Sequence, residues 1–230
     1  MSYPHIILVH GAWADGSSWS KIIPLLQAKG HQVTAVQHPL TSLADDVAAT
    51  ARALALVNGP VLLVGHSYGG VVITNAGVDP KVVGLVYVAA FAPDEGEAVG
   101  DLGHEFAPPP GVSELRPDAS GFLSMTAQGV ADNFAQDLPP AEARLMHAVQ
   151  TPTHGATFGA KTGQAAWKSK PNWYVVATHD RMIQPQLQRK FVEALNAQTL
   201  TLASSHVPML SHPVEVADFI DGAARQLQGQ

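Results

Sequence analysis

Apolar residues along the chain fall into short unbroken runs, and amphipathic stretches separate one run from the next. Ile6 to Val9 is the first run, bounded by His10-Gly11. From Ser17 to Lys29 the apolar positions Ile22, Ile23, Leu25 and Leu26 take helical spacing, and Gly30 marks a stop. Gln32 to Val36 reads as a second strand. Ser42 to Val57 reads as an Ala-rich helix, with Ser42 as N-cap and Asp45 and Asp46 near its positive end. After the turn Asn58-Gly59-Pro60 come a strand at Val61 to Val64, a helix at Tyr68 to Gly77 and a strand at Val82 to Ala89. Strands and helices in this rhythm make βαβ units and hence parallel pairing. The runs are apolar at every position rather than at every second one, as strands are when both sheet faces are covered.

The rhythm breaks at Pro93. From there to Pro171 prolines crowd the chain (Pro108-Pro109-Pro110, Pro117, Pro139-Pro140, Pro152), and no strong β-branched run occurs. Short helices are expected at Ser124 to Ala135 and Pro140 to Val149, so residues 93–170 read as a helical cap insertion rather than as more sheet. The rhythm resumes with a strand at Trp173 to Ala177, a helix at Pro185 to Ala194, a strand at Gln198 to Leu202 and a helix at Val214 to Leu227. The expectation is an α/β fold with a mostly parallel sheet of about six strands flanked by helices. Residues 1–92 and 171–230 form its core domain.

Composition narrows the function classes. Of 230 residues, 46% are hydrophobic and 14% charged, ample apolar material for a continuous core and too little charge for a disordered chain. The net charge of -6 and the lack of a Lys/Arg cluster argue against nucleic-acid binding. With no cysteine, disulfides and thiolate metal ligands are excluded. The Met-Ser-Tyr-Pro-His start lacks the basic and apolar regions of a signal peptide, and no apolar run approaches the ~20 residues of a membrane helix. A cytoplasmic protein without a membrane partner is expected, and a homodimer is compatible with the sequence.

Gly65-His66-Ser67-Tyr68-Gly69 matches Gly-x-Ser-x-Gly in the context that gives the pattern meaning, after a strand and before a helix. So sharp a reversal strains the backbone at Ser67 and presents its hydroxyl at the strand end, and side chains at Gly65 or Gly69 would collide with the turn. A phosphate-binding loop is not supported, because neither Gly-Lys-Ser/Thr nor Gly-x-Gly-x-x-Gly occurs. Ser67 is therefore the candidate nucleophile. The oxygen of an attacked carbonyl needs two N–H donors. Tyr68 offers one backbone amide, and Ala12, in the loop His10-Gly11-Ala12-Trp13 at the same sheet edge, offers the other. Gly11 permits close approach, and His10 is read as a brace for the loop rather than as a base.

On this scaffold the chain order is Ser, acid, His. His206, in the loop Ala203-Ser204-Ser205-His206-Val207-Pro208, is preferred as base over His212, which stands at the start of the last helix. Asp180, following the strand that leads through Thr178 and His179, is the candidate acid that holds the imidazole in its tautomer, ahead of Asp94. His10, His66, His179 and His206 all fall at strand ends. Without His-x-His or His-Glu-x-x-His spacing they do not indicate a catalytic metal, and no cofactor is expected.

The segments Leu8-Val9-His10-Gly11-Ala12-Trp13 with Trp19 downstream, Gly65-His66-Ser67-Tyr68-Gly69-Gly70, and Ser205-His206-Val207-Pro208-Met209-Leu210-Ser211 carry a resemblance. The chain resembles the branch of α/β-hydrolases that contains plant methyl-salicylate and methyl-jasmonate esterases, hydroxynitrile lyases and many bacterial carboxylesterases. The likeness covers nearly the whole chain and is weakest across the cap. It implies the α/β-hydrolase fold with a cap over a Ser-His-Asp site. Plant lyases of this branch carry a polar residue, commonly Thr, directly after the oxyanion-loop His, and a Lys directly after the catalytic His. Here Gly11 and Val207 stand there, so the sequence looks like the esterases. The expected partner is a small-molecule ester. Phe106, Phe122, Met125, Phe134 and Trp167 of the cap, with Trp13 and Tyr68 below, are the candidates for an apolar pocket.

Overall fold

The apolar runs become strands of one sheet. In a computed structural model, which describes residues 3–229, nine strands follow in chain order. They are β1 (His5–Val9), β2 (Val33–Val36), β3 (Val61–His66), β4 (Val82–Val88), β5 (Leu115–Pro117), β6 (Phe122–Met125), β7 (Thr153–His154), β8 (Asn172–Ala177) and β9 (Gln198–Leu202). Six of them form a sheet in the order β2-β1-β3-β4-β8-β9, every pair parallel. The helices are α1 (Ile22–Ala28), α2 (Leu43–Ala55), α3 (Gly69–Ala76), α4 (Ala127–Gly129), α5 (Pro140–Val149), α6 (Pro185–Leu195), α7 (Pro208–Ser211) and α8 (Pro213–Gln226).

Alternate residues of a strand point to opposite faces, and both faces are packed. Ile6 and Leu8 of β1 meet α1 and α8 through Ile22, Leu26, Val216 and Ile220. Ile7 and Val9 face the layer of α2, α3 and α6, with Leu54, Val72 and Phe191. This double covering is why the strands carry no polar alternation. Among the described residues no helix is long and apolar enough to cross a membrane.

Two local expectations change. The helix expected over Ser17 to Lys29 divides into a 3-10 turn at Gly16–Trp19 and α1. Pro24 accounts for the break: it lacks an N–H and its ring opposes the carbonyl four residues back, so it is tolerated only in a first turn, and the helix starts at Ile22. The insertion between β4 and β8 also holds more than helix. β5, β6 and β7 form a separate antiparallel sheet. The stretch expected to be helical from Ser124 leaves β6 as a strand, is capped by Thr126 at α4, and continues as a wide π-helical turn at Val130–Phe134. By contrast, Ser42 caps α2 as expected, its side chain accepting the Asp45 N–H.

Because the six strands run one way, their C-terminal ends share one edge. β1, β2, β3, β8 and β9 there deliver His10–Ala12, His38, Ser67, Asp180 and His206 from distant parts of the sequence.

Candidate active site

Ser67 follows β3 directly and precedes Tyr68, the N-cap of α3, and its backbone is left-handed, with φ 53. That conformation is unfavourable for a residue with a side chain and persists only where its surroundings fix it. They do: Ser67 N–H donates to Val88 O at 3.3 Å, and Ser67 O accepts from Gly70 and Phe91 N–H at 3.0 and 3.1 Å. The flanking glycines are required by space. A Cβ at Gly65 would stand 2.6 Å from Gly69 O, and one at Gly69 would stand 2.5 Å from Val9 O.

The hydroxyl this turn projects lies 2.8 Å from His206 Nε2, and His206 Nδ1 lies 2.8 Å from Asp180 Oδ2. An ionised carboxylate only accepts, so Nδ1–H donates to Asp180 and Nε2 is left to accept the Ser67 O–H. The three side chains are nearly withdrawn from solvent, His206 wholly so. Asp180 is held in turn: Oδ1 accepts the N–H groups of Met182 and Ile183 at 2.7 and 3.0 Å, and Oδ2 accepts Gln188 Nε2 at 2.8 Å. Gln188 also accepts the Ala177 N–H at 2.9 Å, which ties the end of β8 to the first turns of α6. The edge of the Phe134 ring meets the His206 imidazole with centroids 4.9 Å apart. The competing candidates lie elsewhere. His212 caps the start of α8 beside Ser211 Oγ, and Asp94 pairs with Lys168. His179 is exposed, its carbonyl taken by Gln136.

Ala12 and Tyr68 line the same cavity as Ser67, and among the described residues neither backbone N–H donates to a protein acceptor. The approach of their loops depends on Gly11, where a Cβ would stand 2.7 Å from Ser67 Cβ. Ala12, Ser67 and Tyr68 open into a cavity of about 270 Å3 with almost entirely apolar walls. Trp13 lines it, as expected. The five cap candidates do not, which corrects the pocket drawn from sequence. Phe106 lies under Lys190, Phe122 packs on His154 within the small sheet, and Trp167 donates to Pro93 O at 2.9 Å. Met125 and Phe134 are core residues behind Trp13. The walls come instead from Phe91, Val99, Val112, Leu115, Phe158 and the pair Met182–Ile183. Most of these sit in loops and short turns, where no periodicity marks which side chains turn inward.

The comparisons agree with this architecture. Over 273 residues the chain is 28% identical to a pyrethroid hydrolase of Sphingobium wenxiniae, covering 99% of this chain and 91% of that protein. Over 250 residues it is 25% identical to an alpha-hydroxynitrile lyase of Arabidopsis thaliana, covering 96% of each. The crystal structure of a pyrethroid hydrolase from Sphingobium faniae superposes with a TM-score of 0.84 at 24% identity, covering 97% of this chain and 98% of that one. The pattern of the alpha/beta hydrolase family matches residues 6–219, nearly the full length, and the chain belongs to that family.

Proposed function

We propose that the chain is a serine carboxylesterase acting on small to medium apolar esters. The observation that carries the reading is the continuous line of hydrogen bonds from Ser67 Oγ through the His206 imidazole to Asp180, 2.8 Å at each step. Ser67 Oγ attacks the ester carbonyl carbon while its proton passes to His206 Nε2, and the carbonyl oxygen takes the negative charge against the Ala12 and Tyr68 amides. His206 then protonates the leaving alkoxide. Water attacks the acyl-enzyme with His206 again as base, and the acid departs. Asp180 stabilises the imidazolium in both halves, and no cofactor enters. Residues 93–170 act as a cap, a role supported by the place of Val99, Val112, Leu115 and Phe158 in the cavity wall.

An apolar substrate is supported by that wall, which offers no charged partner. A lyase reading, which the Arabidopsis relative brings to mind, is disfavoured by two positions. A hydroxyl-bearing side chain at Gly11 has no room against Ser67, and Val207, wholly buried, offers no cation for a cyanide leaving group. The test is Ser67→Ala. It is expected to lower turnover of a p-nitrophenyl ester by about three orders of magnitude or more, and an organophosphonate is expected to label the parent chain at Ser67. Retention of most of the turnover, or labelling of a different serine, overturns the proposal.

A further inference from the structure

Behind the oxyanion loop lies a group of buried polar side chains that the mechanism above does not use. Asp46, in the first turn of α2, is wholly buried. Its Oδ1 accepts the Leu40 N–H at 2.8 Å, which steadies a residue with a left-handed φ of 59. The same oxygen lies 3.2 Å from His38 Nδ1. Its Oδ2 accepts the Tyr68 hydroxyl at 2.9 Å. A carboxyl group wholly out of water costs free energy that well-placed donors must offset, so its presence in the core calls for a reason.

One arm leads to a proposed oxyanion donor, since Tyr68 carries one of the amides. His38 Nδ1 makes no hydrogen bond, so the second donor is aimed apart from Asp46, by a pair of stacked imidazoles. His38 and His10 lie face to face, with centroids 3.7 Å apart and planes 7° from parallel. His38 Nε2–H donates to His10 O at 2.9 Å, and His10 Nδ1–H donates to Gly11 O at 2.9 Å. Burial and the neighbouring His38 lower the His10 pKa to about 3, which keeps that ring neutral. The last hydrogen bond matters for a covalent reason. Gly11 C=O and Ala12 N–H belong to one planar trans peptide and point in opposite directions. Holding the carbonyl toward His10 therefore aims the Ala12 N–H away from it.

We propose that Asp46 is a positioning residue for the oxyanion site, one buried carboxyl group that holds Tyr68 by its hydroxyl and so sets the Tyr68 amide beside the Ala12 amide. The proposal rests on Ser67 being the nucleophile. Its test is Asp46→Asn, Tyr68→Phe and the double variant, read against an apolar p-nitrophenyl ester and a trifluoromethyl ketone. Ser67 Oγ adds to the ketone carbon, its proton moves to His206, and the ketone oxygen becomes the anion that the two amides must hold.

Each single variant is expected to lower kcat about 10- to 100-fold and to weaken the ketone by a similar factor, with KM within about twofold. The double variant should fall little below the worse single, because both changes break one linkage. A purely structural role would lower the melting temperature without weakening the ketone relative to KM. If both singles keep kcat and ketone affinity within about twofold of the parent, the proposal is wrong. Should Asp46→Asn fail to fold, Tyr68→Phe, which removes one oxygen, decides alone. Organophosphonate labelling of the parent at Ser67 separates this outcome from failure of the esterase reading.

Discussion

His66 and His10 show how much of this site depends on imidazoles that stay uncharged. His66 is fully buried beside the His206 ring, with centroids 4.8 Å apart, and its Nε2–H donates to His206 O at 2.8 Å. Desolvation, with the nearby His206, pushes its pKa well below the usual 6.5. A neutral ring there neither repels the imidazolium that the proposed reaction forms on His206 nor competes for its proton. The sign of the stability effect follows from the depressed value. Below pH 6.5 the unfolded chain takes up protons that the folded chain refuses, so stability is full above that pH and is lost as pH falls toward the folded pKa. With a folded pKa of about 3, His10 alone is expected to cost about 2 kcal/mol between pH 7.5 and pH 5, and His66 adds in the same direction. Thermal unfolding at pH 7.5, 6 and 5 checks this, and an unchanged melting temperature across the series contradicts it. Gln188 makes a second case at this scale. Gln188→Leu leaves the Ala177 N–H without its acceptor and Asp180 without one donor, for a loss of about 1–3 kcal/mol of stability and a drop of about tenfold in kcat that the pH optimum survives. Denaturant midpoints and steady-state kinetics measure the two parts. The sequence does hold a signal for Gln188: it is a polar residue on the apolar stripe Leu187, Phe191, Leu195 of α6.

At the scale of elements, the nucleophile turn is where geometry leaves least freedom. β1 and β3 are paired along their length, with Val9 opposite Gly65, so the carbonyls of Val9 and His10 cannot retreat from an added methyl at Gly69. Gly69→Ala is therefore expected to cost about 1–3 kcal/mol or more. Gly222, inside α8, has nothing within 4 Å of an added Cβ. Gly222→Ala is expected to stabilise by about 0.5–1 kcal/mol through helix propensity. Equilibrium denaturation of the pair is a controlled comparison, and equal effects would mean that the turn yields more than its contacts imply. The same contrast explains what the sequence made legible. The parallel strands are readable because both faces are buried and each leaves an apolar run. The elbow, Asp180 and His206 are readable because chain order and strand ends place them. β5, β6 and β7 are not, since strands of three, four and two residues show too little alternation to separate them from loop. The division of α1 turned on Pro24 alone, and the link between Asp46 and Tyr68 is a contact between elements that no local pattern encodes.

The molecule as a whole joins its two parts around the cavity rather than beside it. Trp13, left-handed at φ 54, donates through its backbone N–H to Thr153 Oγ1 at 3.2 Å and through Nε1 to Leu123 O at 2.9 Å. His154 N–H reaches Leu40 O at 2.8 Å, and Gly111 N–H reaches Arg181 O at 3.0 Å. The parallel sheet thus supplies the proposed reacting groups from strand ends, while residues 93–170 supply much of the cavity wall. Selectivity and chemistry should then be separable by substitution. Phe158 is the place to try, because its ring stands 5.7 Å from Trp13 and 5.9 Å from Tyr68 across the cavity and belongs to the insertion. Phe158→Ala removes apolar contact without touching the line from Ser67 to Asp180. Losing that contact is expected to cost an aromatic ester about 1–3 kcal/mol of transition-state binding, or about 5- to 150-fold in kcat/KM. Because an acetyl ester too small to reach the ring has no such contact to lose, its kcat/KM should change by less than about threefold. The rate at which a small organophosphonate modifies Ser67 should likewise hold. Equal losses for the large ester, the small ester and the phosphonate would mean that the ring supports the fold of the site rather than the grip on substrate, and would return the choice of ester to the sheet domain.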